Sequence, residues 1–390
     1  MGYMDKYIRF LTKYIKLNSY SCCQPKERRI KQDLEKLNLF VYTDRLGSFS
    51  YGYDHPMRPA RLRLTYEQVK RYGLIEEENL IEPREPTEKE LLWFHTEDYL
   101  ETLKKADSGI LPEDAARYGL GMGDNPVFKG VFQWSLLTVG GSLLAAEFVS
   151  SGKSDVAFNI SGGLHHAMPS RASGFCYLND PAIAIHYLLR QGKRVAYVDI
   201  DAHHGDGVEH AFYRDDRVLT ISIHEDPTYL FPGTGFPHQM GEEAGRGFAI
   251  NVPVPPGATD VVFLKAFEEI VPPFIEAFEP DILVTQLGVD TLRGDPITHL
   301  ELTTYGFETM VRWFKMAGIP WVALGGGGYN VEHVANAWAM AWAIMNDMDV
   351  PDELRDEPLE REPSEKHLEE VEKTVTFLKE NALPLVKKKG

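Results

Sequence analysis

The stretch Val195-Ala-Tyr-Val-Asp-Ile-Asp-Ala-His-His-Gly-Asp-Gly207 decides how the rest of the chain is read. Its first half is a short apolar run with β-branched residues, the pattern of a strand buried on both faces. Its second half turns polar and carries Asp201, His203, His204 and Asp206 on a loop that closes with Gly207. The arrangement recurs along the chain. Residues 156–160 run into Ser161-Gly-Gly-Leu-His165-His166, and residues 218–223 into His224 and Leu230-Phe-Pro-Gly-Thr-Gly235. Residues 282–287 run into Gly288-Val-Asp290, and residues 321–324 into Gly325-Gly-Gly-Gly-Tyr329. A further apolar run at 39–42 and helical stretches at 181–190 and 263–278 complete an alternation of strand and helix. Alternation of this kind needs crossover connections. It implies an α/β fold with a single open, mainly parallel sheet flanked by helices.

In an open parallel sheet, ligands bind outside the carboxyl ends of the strands. Five loops bearing His, Asp, Tyr or Gly therefore converge on one crevice. Asp201 and His203 stand two apart at one strand end and Asp290 at another. One imidazole and two carboxylates make a three-ligand site with a position left for water, as in catalytic rather than structural zinc. A plainer reading has Asp201 and His203 capping the next helix or bonding each other. His165 and His166 follow two glycines. They read as metal ligands, as loop polars, or as acid and base beside the metal, the last requiring carboxylates such as Asp199 and Asp206 behind them. The glycine run before Tyr329 lacks the Lys-Ser/Thr of a phosphate loop. It reads as a flexible tip that brings the Tyr329 hydroxyl over the metal to donate to an oxyanion, or as a plain turn. Gly174, Phe175 and Phe231 suit a narrow channel for the stem of an acylated lysine, or simply core.

The formal net charge of −17 speaks against nucleic acid and anionic membranes as partners. It favours cationic substrates, though solubility alone accounts for such a surface. No run was read as approaching the roughly 20 apolar residues of a membrane span. Three cysteines without framework spacing fit a reducing, cytoplasmic setting. Residues 1–38 are rich in Lys and Arg, with Ile8, Leu11 and Ile15 at helical spacing, and read as a basic amphipathic extension. Residues 39–348 read as the catalytic domain. Residues 349–390 read as a helical tail packed outside it, with Leu368, Val371, Val375 and Leu378 on one stripe.

These motifs resemble the histone deacetylase family, in particular its class I-like branch and the bacterial acetoin-utilisation deacetylases. The resemblance spans about residues 39–347. It is carried by His55-Pro-Met-Arg-Pro, Phe94-His-Thr-Glu-Asp-Tyr99, Gly163-Leu-His-His166, Gly174-Phe-Cys-Tyr-Leu-Asn179, the stretch from Asp199 to Gly207, Phe231-Pro-Gly-Thr-Gly235, Gly294-Asp-Pro296 and Gly325-Gly-Gly-Gly-Tyr329. It implies the eight-stranded arginase/deacetylase fold and a zinc-dependent deacylase acting on acetyl-lysine in a protein or peptide, or on an acylated small amine. Zinc would sit on Asp201, His203 and Asp290; ferrous iron suits the same ligands. The resemblance makes His166, backed by Asp206, the general base and acid, and His165, backed by Asp199, its electrostatic partner. Tyr329 would polarise the scissile carbonyl, while Gly174, Phe175 and Phe231 would wall the channel. Asp124 would grip the substrate backbone at the rim, and Arg61 would lie beneath the site. Structural potassium would sit near Asp199, Ser222 and Phe212. Ile297 stands where polyamine deacetylases carry glutamate, which argues against a polyamine pocket.

A dinuclear manganese ureohydrolase of the arginase kind is the rival on the same fold. It needs further carboxylates at places held here by Gly205 and Leu292. A non-catalytic acyl-lysine binder is the rival of another class.

Overall fold

Each apolar run of the sequence becomes a strand, and all of them join one sheet. The computed structural model describes residues 36–388 apart from Met122, Pro358 and Glu360, so the amphipathic helix expected in residues 1–38 lies almost wholly outside the described residues. The strands are β1 (Leu39–Val41), β2 (Leu80–Ile81), β3 (Val156–Asn159), β4 (Val195–Asp199), β5 (Val218–Glu225), β6 (Ala249–Val254), β7 (Ile282–Gln286) and β8 (Trp321–Leu324). Their order is β2-β1-β3-β8-β7-β4-β5-β6, and every pairing is parallel. Eight strands and a single open sheet match the expectation. The interior strands β3, β4, β7 and β8 are buried along their whole length. Helices on both faces exclude water, which is why these strands carry apolar runs rather than alternation.

Two strands escaped the reading of the sequence. The two residues of β2 are too short to show a pattern. The strand β6, Ala-Ile-Asn-Val-Pro-Val, is interrupted by Asn251 and Pro253. Proline is tolerated there because β6 closes one edge of the sheet. Helix Glu365–Asn381 packs against that edge strand and against helix Asp260–Phe278. It buries Val371, Val375 and Leu378 on the stripe read from the sequence, whereas Leu368 stays half-buried. An edge strand under a helix is shielded from pairing with other chains.

Helix Val131–Ser150 corrects the statement that no run approaches a membrane span. Its length and hydropathy pass that test, yet 83% of its apolar window is buried inside the protein. It packs on β3 and on helix Asp180–Arg190. A helix apolar all round is what the core of a large domain requires.

The parallel pairing sets the site by register. Asp199, the last residue of β4, lies opposite Gln286 on β7 and Ser222 on β5. Asn159 at the end of β3 lies opposite Leu324 at the end of β8. The loops beyond these ends share one side of the sheet centre.

Candidate active site

Asp201, His203 and Asp290 meet just beyond β4 and β7, all three buried, with a ligand atom of each within 4.8 Å of the others. His203 Nδ1 lies 3.1 Å from Asp201 Oδ1 and 2.9 Å from Asp290 Oδ2. Backbone donors hold the carboxylates in place: Gly327 N donates to Asp201 Oδ2 at 2.7 Å, and Ala202 N to Asp290 Oδ1 at 2.8 Å. Burial, and then the neighbouring Asp201 carboxylate, push Asp290 up to about 7. Burial opposes a charge on His203, but the two carboxylates outweigh it and raise the ring to about 10. Two buried acids thus demand positive charge at this spot. A divalent cation on three N/O donors supplies it, with release of the His203 proton, so the donor set fits a metal.

In the run 325–328 close packing demands glycine at Gly325 and Gly327, and the backbone demands it at Gly326 and Gly328, with φ of +114° and +129°. A Cβ on Gly327 would stand 2.2 Å from Asp290 Oδ2, and one on Gly288 would stand 2.1 Å from Asp201 Oδ2. We expect Gly288→Ala to lower zinc affinity about 10–100-fold, the usual scale for disturbing the groups that orient a ligand. Competition against a fluorescent chelator measures it, and unchanged affinity would mean that Asp201 moves aside without loss.

Beside the metal ligands stand the two histidines. His165 Nδ1 is 2.8 Å from Asp199 Oδ2, and His166 Nδ1 is 2.7 Å from Asp206 Oδ1. Tyr197 donates its hydroxyl to the same Asp199 oxygen at 2.7 Å, and Asp201 N donates to the other at 3.0 Å. The two Nε2 atoms face each other at 2.9 Å. One must donate and the other accept. Burial works against protonation of His165, yet Asp199, Asp201 and Asp206 raise it to about 9. Burial, and then the charge on His165, lower His166 to about 4. That ordering favours His165 as the donor and His166, whose Nδ1 faces Asp206, as the acceptor at Nε2.

Tyr329 follows the glycine run, its backbone N donating to Asp295 Oδ2 at 2.8 Å. The preceding carbonyl, Gly328 O, accepts from the buried Arg61 guanidinium at 2.9 Å. The Tyr329 ring lies 6.5 Å from that of His203 and 5.5 Å from that of Phe175. Burial, then the charges of Asp290 and Asp201, hold its hydroxyl well above the usual phenol range, so it stays a donor. Phe231 presents its ring to His166 at 5.0 Å and to His203 at 6.4 Å. Gly174 has a φ of +50°, and a Cβ there would meet His166 at 2.5 Å and Phe231 at 2.8 Å. Phe175 keeps a φ of +69°, a backbone conformation that L residues adopt at a cost and that recurs at functional sites. Phenylalanines and glycine thus frame the approach to the metal ligands.

Other expected residues stand further out. Asp124 is exposed, with its carbonyl 3.2 Å from His55 Nε2. Ile297 is half-buried, its N donating to Asp295 Oδ1. Ser222 faces Asp199 in register and bonds His224 Nδ1 at 2.9 Å. Phe212 lies at the far end of helix Asp206–Phe212, with its ring on His186.

The sequence reading missed Gln286, whose amide donates to Gly163 O at 2.9 Å and to Asp201 Oδ2 at 3.2 Å. It also missed Asp180, which accepts from the N–H groups of Gly163 and Leu164 and so holds the loop before His165. Their only signal was polarity at the end of a buried strand and at the start of an apolar helix. The places where a second metal would need ligands are filled otherwise. A side chain at Gly205 would meet Asp199 Oδ2 at 2.5 Å, and Leu292 is buried. Among the described residues, one group has metal-ligand geometry.

Residues 55–345 match the histone deacetylase domain. The chain is 40% identical over 325 residues to the acetoin utilization protein AcuC of Bacillus subtilis, covering 81% of this chain and 84% of that one. It is 39% identical over 319 residues to histone deacetylase RPD3 of Saccharomyces cerevisiae, covering 80% and 73%. Among solved structures, an HDAC homolog from Aquifex aeolicus superposes with a TM-score of 0.82 at 35% identity, covering 87% of this chain and all of that one. An HDAC homolog complexed with SAHA gives the same TM-score at 36% identity and the same coverage.

Proposed function

The chain belongs to the histone deacetylase family, and from that premise we propose that its buried ligand group and histidine pair form the catalytic machinery of a zinc-dependent lysine deacylase. The family hydrolyses acetyl-lysine amides, and this chain is a metal-dependent amidohydrolase. The observation that carries the site assignment is two aspartate-backed imidazoles against three buried side chains with metal-ligand geometry.

Asp201, His203 and Asp290 would hold the ion. Zinc is the reading, with ferrous iron compatible with the same donors. When bound, such an ion polarises a carbonyl and lowers the pKa of water to around 7. The residues do the rest. His166 Nε2, exchanging its contact with His165 for the attacking water, would take the water proton while Asp206 steadies the ring, and His166 would then protonate the leaving lysine amine. The charged His165 favours the negative charge that builds in the transition state. The Tyr329 hydroxyl donates to the carbonyl oxygen as it becomes an oxyanion. Gly174, Phe175 and Phe231 enclose the lysine stem, and Asp124 grips backbone at the rim. A monovalent cation between Asp199 and Ser222, which stand side by side on β4 and β5, belongs to the same reading; Phe212 would offer its carbonyl to another. Ile297 supports a preference for lysine side chains over polyamines. A cytoplasmic setting fits the buried free thiol of Cys176.

Assay of the zinc-loaded protein on acetyl-lysine peptides tests the reading directly. Tyr329→Phe should lower kcat about 10²–10³-fold, the cost of one oxyanion donor. Wild-type kcat in that variant would remove the tyrosine from the reaction. Peptide binding with no turnover on a range of acyl chains would favour a non-catalytic binder instead.

A further inference from the structure

Outside the catalytic group lies a cavity of about 440 Å³, lined by Tyr51, Asp54, His55, Asp124, Pro126 and Phe175 among others. A cavity of this size has room for a long side chain. Its walls are fixed by bonds rather than by loop accident. Tyr51 donates its hydroxyl to Phe175 O at 2.9 Å, and its ring lies 4.8 Å from that of His55. The His55 ring meets Phe175 edge-on at 4.6 Å. Met57 N donates to His55 Nδ1 at 3.0 Å, which leaves Nε2–H to donate to Asp124 O at 3.2 Å. That tautomer ties the loop after residue 50 to the loop of Asp124.

The chemistry of the lining is one-sided. Three aromatic rings form the wall, and two exposed carboxylates, Asp54 and Asp124, stand at the lip. Among the described residues, neither carboxylate pairs with a Lys or Arg. An anionic guest would meet like charge, and a purely apolar one would strip water from both acids without return. A Lys or Arg side chain satisfies both features, its stem on the rings and its head on Asp54, while Asp124 holds the substrate backbone. Phe175 lines this cavity and also meets Tyr329 in the approach to the candidate metal group, so the guest and the acyl-lysine belong to one molecule. A small acylated amine has nothing to place there.

We propose that this cavity is a specificity subsite that takes a Lys or Arg side chain within two residues of the acyl-lysine, so that the substrate is a basic polypeptide segment. The proposal rests on the deacylase reading for the placement of the acyl-lysine. Its test uses zinc-loaded protein and acetyl-lysine peptides with Lys, Ala or Glu at each of the two positions on either side. At one position or more, Lys should raise kcat/KM about tenfold over Ala, mainly through KM, and Glu should lower it. In Asp54→Asn the Lys-to-Ala ratio should fall to within about twofold, and in Asp54→Lys the order of Lys and Glu should reverse. Asp54 is exposed and, among the described residues, has no ion-pair partner, so neither variant disturbs packing.

Equal kcat/KM for Lys, Ala and Glu at every position would overturn the subsite, as would an unchanged preference in Asp54→Asn. An acetyl-lysine amide with no flanking residues separates the two claims. If neither it nor any of the peptides is hydrolysed, the deacylase reading falls, and calorimetric Kd values for the same intact peptides still decide the subsite by the same ratios.

Discussion

Asp201→Ala is expected to yield a protein that retains no divalent cation and hydrolyses acetyl-lysine peptides no faster than background. The side chain is the hub of the site. Its Oδ1 accepts from His203 N at 3.0 Å and faces His203 Nδ1, while Oδ2 accepts from Gly327 N and Gln286 Nε2. It therefore joins the loops after β4 and β8 to the end of β7. Without it, one imidazole and one carboxylate remain, too few donors for a stable catalytic zinc site. The stability consequence separates loss of metal from loss of fold. Orphaning buried donors costs roughly 1–3 kcal/mol each, offset by release of the repulsion that pushes Asp290 up. The metal-free melting temperature should shift little. Zinc should raise it in the wild type by linkage and leave it unmoved in the variant. Elemental analysis and thermal unfolding with and without zinc measure both, and a variant isolated with stoichiometric metal would refute the ligand assignment.

For His166→Ala the expected loss in kcat is about 10²–10⁴-fold with metal content unchanged, the range of a lost general acid–base group. Among the two histidines, His166 faces Phe231, and its Nε2 carries the lone pair that accepts from His165 Nε2. Its basicity is poised by opposed neighbours. Asp206 raises it, whereas burial and the charged His165 lower it to about 4 in the metal-free protein. The ring is thus unprotonated through the neutral range and accepts a proton only when the reaction delivers one. Asp206→Asn should cost less than removing the ring, since the hydrogen bond survives but the supporting charge does not. Steady-state kinetics beside metal analysis decide the matter; a loss under tenfold in a fully metallated His166→Ala would transfer the base role elsewhere.

Much of this site was legible because strand ends announce themselves. A parallel strand buried on both faces must be apolar, so the first Asp, His or Gly beyond it marks where the chain leaves the sheet. That pattern pointed to Asp201, His203, Asp290, the histidine pair and Tyr329. It was blind to β6, whose Asn251 and Pro253 break the run at a tolerant edge. It also misjudged helix Val131–Ser150, where apolarity reflects burial in the core. The glycines at 325–328 stand out in the sequence, but the approach of Asp201 and Asp290 to Gly327 leaves no trace in local pattern.

The linear order of residues by itself determined the alternating α/β architecture and the convergence of polar loops at one end of a parallel sheet, because hydrophobic period and chain crossover leave few alternatives. Tertiary structure alone set the distances at which Asp199 and Asp206 back the two histidines, and the fields that favour charge on His165 over His166. It also decided that Gln286 and Asp180 brace the loops, and that His55 joins Asp124 beside a cavity. The reason is physical: burial and fields act through space, so protonation and clearance depend on neighbours tens or hundreds of positions away in the chain.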